Sequence, residues 1–315
     1  MLAMELINDL AEIKAPYKNA VITIGNFDGV HKGHQAILHQ VIEHAETIKG
    51  TSVAITFEPH PMKVLSSNGS PPVITLYEQK TELIEQTGID VLICIPFNRE
   101  FAAITATEFV EDILIRKIGM KAIVIGNDYR FGRNREGSVE FLKKYGQKSD
   151  LEIIVAEWIP ISHQVLERIS STRVREIVMD GRVEDAWHLL GRHYQIRGEV
   201  VTGRQRGGPM LGFPTANLKL IDELCPKTGV YAVTVECHGE KYKGVANIGY
   251  APTFDDHLFT VEVHIFDFHE DIYGEIIRVN FIKRIRDEKK FAGIEELHDQ
   301  INTDSNTARS ILSDL

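Results

Sequence analysis

Cysteine is scarce in this chain: Cys94, Cys225 and Cys237 are the only three among 315 residues. The count is odd and no pair has zinc-ligand spacing, which excludes a disulfide scaffold and a zinc finger. Free thiols in a reducing cytoplasm are the expectation. Long apolar runs are also missing. None approaches the roughly 20 residues that cross a bilayer, and Met1-Leu2-Ala3-Met4-Glu5 lacks the layout of a signal peptide. A cytoplasmic protein with no membrane partner is therefore expected. There is no surplus of basic residues: 35 Lys and Arg face 45 Asp and Glu, giving a net charge of −10 and an isoelectric point near 5.7. A polynucleotide binder carries a basic face, so nucleic acid is not an expected partner. A small anionic ligand needs only a local basic pocket and stays open. The sequence shows no internal repeat and no low-complexity segment, and its length allows two domains.

Hydrophobic patterning divides the chain. Apolar runs at 20–24, 52–57, 90–97, 121–125 and 152–159 are nearly continuous, as in strands covered on both faces. Helical patterns near 34–49, 76–88, 107–119 and 137–148 alternate with them. This order predicts an α/β domain with a doubly wound parallel sheet. Two short helices follow, over Thr172–Met179 and Val183–Leu190. From Gln195 onward the pattern shortens into alternating strands at 195–202, 230–238, 241–248, 258–267 and 275–285, the signature of a small antiparallel β-barrel. Ile294, Leu297, Ile301 and Ile311 then recur as on an amphipathic C-terminal helix. The boundary is placed at 187, giving domains 1–187 and 188–315.

Polar motifs gather at the ends of the expected strands, where open α/β sheets bind ligands. The run Gly25-Asn26-Phe27-Asp28-Gly29-Val30-His31-Lys32-Gly33-His34 lies between a strand and a helix. A helix start favours phosphate through its unpaired N–H groups and its dipole, and His31 and His34 are spaced to share one helix face. His-x-Gly-His in this setting is the pattern by which nucleotidylyltransferases grip a nucleoside triphosphate. Glu58-Pro59-His60-Pro61 follows the second strand, either a ligand contact or a rigid loop. Gly126-Asn127-Asp128-Tyr129-Arg130 follows the fourth. Ser170-Ser171-Thr172-Arg173-Val174-Arg175 offers hydroxyls, backbone donors and guanidinium groups together, which suits a departing pyrophosphate. An anionic phosphate acceptor needs no enzymic nucleophile, only alignment and charge stabilisation.

In the second half, the segment 202–217 carries four glycines and two arginines ahead of Pro214-Thr215-Ala216-Asn217. It reads equally as a phosphate-binding loop and as a surface loop. Thr215 and Asn217 alternate on one side of a strand and offer oxygens that suit a nucleotide-bound Mg²⁺. Glu262 lies on the polar side of Val261-Glu262-Val263-His264-Ile265. It is either a solvent-facing strand residue or the general base that phosphorylation of a primary alcohol requires.

With these motifs in order, the chain resembles the prokaryotic bifunctional riboflavin kinase/FAD synthetase family from about residue 15 to 312. The resemblance rests on 25–34, Thr-Phe-Glu-Pro-His-Pro (56–61), 126–132, 169–175, Leu-Gly-Phe-Pro-Thr-Ala-Asn-Leu (211–218), 229–233, Val-Ala-Asn-Ile-Gly (245–249), His-Ile-Phe-Asp-Phe (264–268) and Arg-Asp-Glu-Lys-Lys-Phe (286–291). It implies an N-terminal FMN adenylyltransferase that makes FAD from FMN and ATP with release of pyrophosphate, and a C-terminal kinase that makes FMN from riboflavin and ATP. It further implies that Gly25, Phe27, Asp28, His31, His34, Asn127 and Arg175 serve the adenylyl site, with Ser170, Ser171 and Thr172 binding phosphate. In the kinase it implies Gly208, Thr215 and Asn217 at Mg·ATP, Glu262 as base, and Arg286 and Glu288 in the flavin loop. Flavins and ATP are the implied partners, with a monomer or weak homo-oligomer expected. The chain departs from the family's commoner residues at His193, Thr202, Pro209 and Ala251, where Pro, His, Arg and Arg are usual; Arg204 and Arg206 stand near enough in sequence to compensate.

Overall fold

The structure is a computed structural model, and it describes residues 3–66, 69–157, 168–202, 213–221, 223–251 and 258–315. Gly208 and Pro209, and with them Arg204 and Arg206, lie outside the described residues. The chain forms two compact units: residues 1–71 with 76–170, and residues 72–75 with 171–315.

The first unit is built on a parallel six-stranded sheet. In chain order its strands are β1 (Glu5–Ile7), β2 (Ala20–Ile24), β3 (Ser52–Glu58), β4 (Val91–Pro96), β5 (Met120–Gly126) and, after the short rim hairpin of β6 (Arg130–Phe131) and β7 (Gly137–Ser138), β8 (Glu152–Ala156). Their spatial order is β1-β4-β3-β2-β5-β8. Period-two alternation sends side chains into two cores. Ala20, Ile22, Ile24, Val53, Ile55, Ile93, Ile95, Ile123 and Ile125 enter one core, with Phe109, Val110 and Leu114 from the wide helical segment Phe109–Ile118 and Val139 and Leu142 from the helix Val139–Gly146. Val21, Ala54, Leu92, Ala122 and Val124 enter the other, against Leu38, Val41 and Ala45 of the helix Lys32–Thr47 and Ile84 of the helix Tyr77–Glu85. All five residues of β2 are therefore buried, which is why that run is apolar throughout. Gly119 ends the Phe109–Ile118 segment in a left-handed conformation (φ 89°), and a Cβ there would lie 2.6 Å from the Tyr17 carbonyl oxygen.

The strand order reverses between β2 and β5: β3 and β4 follow β2 to one side, β5 and β8 lie on the other. Ligands of open α/β sheets bind at such a switch point. The loops leaving β2 and β5 there are those carrying Gly25–His34 and Asn127–Asp128.

The second unit is a closed antiparallel barrel of six strands: β9 (Tyr194–Val201), β10 (Ala216–Lys219), β11 (Gly229–Cys237), β12 (Glu240–Ala251), β13 (Leu258–Ile265) and β14 (Ile276–Arg286). They close in the order β10-β13-β12-β11-β14-β9. A barrel this small is filled by its own side chains. Tyr194, Tyr231 and Phe281 are fully buried with their rings in contact, and the Tyr194 hydroxyl donates to the Leu224 carbonyl. The outer face of β11 is covered as well: Val230 and Ala232 pack with Val245, Phe266, Ala308 and Leu312, so the C-terminal helix Ile294–Ile311 lies on the barrel wall. The helices Ser171–Met179 and Val183–Leu190 belong to this unit. The segment 72–75 joins it through a parallel bridge from Val73 to Glu223 and through the Arg175 Nε, which donates to the Pro72 carbonyl at 2.9 Å.

Candidate active sites

In the first unit the turn after β2 is a strained one. Phe27, Gly29 and Val30 have φ of 48°, 84° and 37°; for Val, a β-branched residue, that is an unfavourable region costing about 1–3 kcal/mol. The turn is held by the Val30 N–H donating to the Phe27 carbonyl and by the Gln35 amide donating to the Val30 carbonyl at 2.8 Å. Its product is the placement of His31 as N-cap of the helix Lys32–Thr47, with its Nδ1 accepting from the His34 N–H at 3.2 Å. The two imidazoles stack with centroids 3.6 Å apart and 16° between planes. The Phe27 ring stands edge-on to His34 at 5.3 Å. Gly33 explains the spacing of the motif: a Cβ there would lie 3.1 Å from Cε1 and Nδ1 of His31 and 3.6 Å from the Ile169 carbonyl oxygen.

At this end the helix dipole favours an anion, while the side-chain charges are balanced among themselves. Burial, then His31, then Arg168 push the His34 pKa well below its ordinary value, so the ring is neutral at pH 7. Its Nδ1 is buried and has no hydrogen-bond partner within the described protein. Arg168 grips Asp128 with two hydrogen bonds, 2.7 and 3.2 Å, and holds that carboxyl below its usual range. Asn127, beside it, is exposed. Gly25 is close-packed, since a Cβ there would lie 3.1 Å from the Phe27 ring. Asp28 is buried in the turn. The first unit thus brings together Gly25, Phe27, Asp28, His31 and His34, with Arg168 and the Ile169 backbone beside them. Ser170 is the last residue of the first unit, whereas Ser171, Thr172 and Arg175 belong to the opening helix of the second. Arg168 escaped the sequence reading; its only signal was adjacency to the Ile169-Ser170 motif.

In the second unit the strand register assembles the candidate kinase residues. Asn217 of β10 lies directly opposite Glu262 of β13, and Glu262 lies opposite Asn247 of β12. The row continues to Val230 of β11 and Arg286 of β14. Directly opposite residues share a face, and the intervening Leu218, Val261, Val263, Ala246 and Ile248 are the buried lumen residues, so this row lies on the outer wall. Burial raises the Glu262 carboxyl above its ordinary value, as suits a group that must accept a proton near neutral pH.

Two neighbours frame the row. Glu288 reaches in over Gly249: a Cβ on Gly249 would lie 2.5 Å from the Glu288 Oε1 and 3.8 Å from the Asn247 Nδ2. His264, two residues along β13 from Glu262, contacts the Pro214 carbonyl oxygen through Nδ1 at 2.8 Å. Thr215 follows Pro214 directly and is half-buried. Arg286 points elsewhere. Its guanidinium forms a two-pronged ion pair with buried Asp304 of the C-terminal helix, Nε to Oδ1 2.9 Å and Nη2 to Oδ2 2.6 Å, while Nη1 donates to the Asp287 carbonyl. Asn247 and His264 were not singled out from the sequence, because strand register and side-chain contacts are tertiary facts. His193 has a half-buried ring whose pKa is lowered, chiefly by burial; the side chain of Ala251 is not described.

Among the described residues, no helix is long and apolar enough to cross a membrane, and no group of three or more His, Cys, Asp or Glu could hold a metal ion. Oxygen donors for an ion would instead come from Thr215 and Asn217, a hard pair that fits Mg²⁺.

Comparison with known proteins agrees with both halves. The FAD synthetase family model matches residues 13–173 and the riboflavin kinase model residues 190–312. A bifunctional riboflavin kinase/FMN adenylyltransferase of Escherichia coli K12 is 39% identical over 97% of both chains, and one of Pseudomonas fluorescens is 36% identical over 98% of both. A crystal structure titled as a macrolide-efflux protein from Streptococcus pneumoniae superposes with a TM-score of 0.86 at 35% identity, covering 98% of this chain and 99% of that one. Matched over nearly its whole length by these relatives and in each half by the corresponding family model, the chain belongs to the bifunctional riboflavin kinase/FMN adenylyltransferase family.

Proposed function

We propose that the two activities of this enzyme family are divided between residues 1–187 and 188–315, with separate residue sets for each. The limits of the two family matches, 173 and 190, fall on either side of that boundary. The barrel transfers the γ-phosphoryl of ATP to the terminal hydroxyl of riboflavin, giving FMN and ADP. The N-terminal domain transfers AMP from a second ATP to the FMN phosphate, giving FAD and pyrophosphate.

In the kinase, Glu262 takes the proton of the attacking hydroxyl. Thr215 and Asn217 bind ATP with its Mg²⁺, and the backbone around Gly208 receives phosphate. Glu288, poised over Gly249, meets the flavin side. Arg286, sharing the outer row but paired with Asp304, supports this wall through the C-terminal helix. The register that sets Asn217 opposite Glu262 carries this reading. It places an amide that can hold the nucleotide beside a carboxylate whose raised pKa suits it as a base.

In the adenylyl transfer no proton need be removed, since a phosphate monoester is already an anion. His34 and His31 donate to ATP oxygens at the helix start, within the turn of Gly25, Phe27 and Asp28, and Asn127 contributes from the loop after β5. Ser170 receives the pyrophosphate, the role that the resemblance to the family also implies for Ser171, Thr172 and Arg175. Catalysis is then alignment and charge stabilisation. All of these groups come from one chain, and the reading requires no second copy. The free thiols Cys94, Cys225 and Cys237 accord with a cytoplasmic location. Chromatography of reactions containing riboflavin, ATP and Mg²⁺ tests the reading: FMN and then FAD must appear, and FMN supplied alone with Mg·ATP must give FAD.

A further inference from the structure

We infer that His264 is a positioning residue of the kinase site, acting through Pro214 on Thr215 and Asn217. The inference rests on the kinase reading given above and adds a residue to it. Pro214's carbonyl oxygen has no proton to give. A bond of 2.8 Å to the His264 Nδ1 therefore requires Nδ1–H as donor. The bond joins β13 to the residue immediately before Thr215, at the point where the chain enters β10. On β13 itself, Glu262 and His264 share the outer face. One strand thus carries the base and also holds the segment that binds the nucleotide.

The ring is also braced by two aromatic neighbours. Phe213 packs edge-on to it, with centroids 5.4 Å apart and 87° between planes. Phe266 packs edge-on at 5.6 Å. Phe213 in turn meets His298 of the C-terminal helix at 5.7 Å. Phe266 is buried against Ala308 and Leu312 and lies 4.2 Å beneath the Arg309 guanidinium. Support therefore runs from the C-terminal helix through Phe266 to the His264 ring and on to the Pro214 carbonyl. A side chain meant only to cover the barrel needs no directed donor; this one has its donor aimed at the backbone one residue ahead of a nucleotide contact.

The test uses the full chain and three proteins: wild type, His264→Asn and His264→Phe. The Asn Nδ2 stands close to where the His Nδ1 stood and keeps a donor for Pro214. Phe keeps the ring and its packing on Phe213 but has no donor. His264→Phe is expected to raise the KM for Mg·ATP in riboflavin phosphorylation by about 5–10-fold, the range of one lost neutral hydrogen bond, with a smaller change in kcat. His264→Asn is expected to stay within about threefold of wild type. FMN adenylylation, measured on the same preparations, should be unchanged in both, and an unshifted thermal transition of the second unit, followed by Trp187 fluorescence, certifies that the barrel is folded. Equal KM for Mg·ATP in wild type and His264→Phe overturns the inference, and so does damage in His264→Asn as great as in His264→Phe. If wild type itself makes no FMN, the kinase reading fails instead.

Discussion

Removing Asp304 should loosen the barrel's outer wall by an amount the geometry allows to be worked out. Asp304 is 6% exposed and Arg286 22% exposed at the side chain, and they share three hydrogen bonds of 2.6–3.0 Å. Taking one partner from a buried pair costs about 3–5 kcal/mol, because the other charge is left uncompensated. Arg286 retains its bond to the Asp287 carbonyl and is partly exposed, so the cost falls to the bottom of that range or just below it, about 2–3 kcal/mol. Gln300 also loses its acceptor, Asp304 Oδ1. For a unit of this size each kcal/mol moves Tm by roughly 3–4 °C, so Asp304→Ala should lower the second unit's transition by about 6–12 °C. The chain has two tryptophans, Trp158 and Trp187, and only Trp187 lies in that unit. Its fluorescence in a Trp158→Phe background follows the transition. Replacing both partners by apolar residues, Arg286→Met with Asp304→Leu, should recover most of the loss, since no charge is then stranded. A shift below 2 °C for Asp304→Ala, or a double variant no better than the single one, would refute the reasoning. Arg286→Met that raises the KM for riboflavin without moving the transition would make Arg286 a flavin contact instead.

Gly33→Ala should hold or slightly raise stability, since Ala exceeds Gly by up to about 1 kcal/mol in a helix, yet the new Cβ would press on His31 from 3.1 Å. FAD formation from FMN should fall at least tenfold while riboflavin phosphorylation is kept; unchanged FAD formation would contradict the role of the stacked histidines. Gly249→Ala should displace the Glu288 carboxyl, which approaches that Cβ position to 2.5 Å, and raise the KM for riboflavin with little change in Tm. The raised Glu262 pKa carries a signed pH effect. Between its ordinary and raised values the folded state binds more protons than the unfolded one, so this group's contribution to stability is fully present at low pH and is lost as pH rises through the folded pKa. Kinase activity needs the ionised form, so kcat/KM should rise over that same window. Glu262→Gln should then be at least as stable as wild type at pH 7.5 by calorimetry; a fall in Tm there would contradict burial as the cause of the shift.

Much of the architecture was legible from residue patterns, and the failures have local causes. The runs at 20–24 and 52–57 were plain because both sheet faces are covered, so alternation vanished and β-branched apolar residues remained. β1 was invisible: it has three residues, of which only Ile7 is buried. β9, by contrast, alternates buried and half-buried residues, and the barrel was recognisable from such strands. The histidine motif was readable because a turn and helix start place His31 and His34 by local geometry alone. The outer row Asn217, Glu262 and Asn247 was not, since it depends on register among three strands. Arg286 shows the limit most clearly. The family resemblance implied a place in the flavin loop, whereas its guanidinium pairs with Asp304 on a helix whose docking no local pattern reveals.

The central claim is that phosphorylation and adenylylation belong to separate constellations in one chain. Product analysis of Glu262→Gln and of a His31→Ala, His34→Ala double variant tests it most directly, with riboflavin or FMN supplied in turn with Mg·ATP. The first should lose FMN formation by at least a hundredfold and still convert FMN to FAD; the second should accumulate FMN and make no FAD. Loss of both products in either variant, with folding intact, would contradict the account.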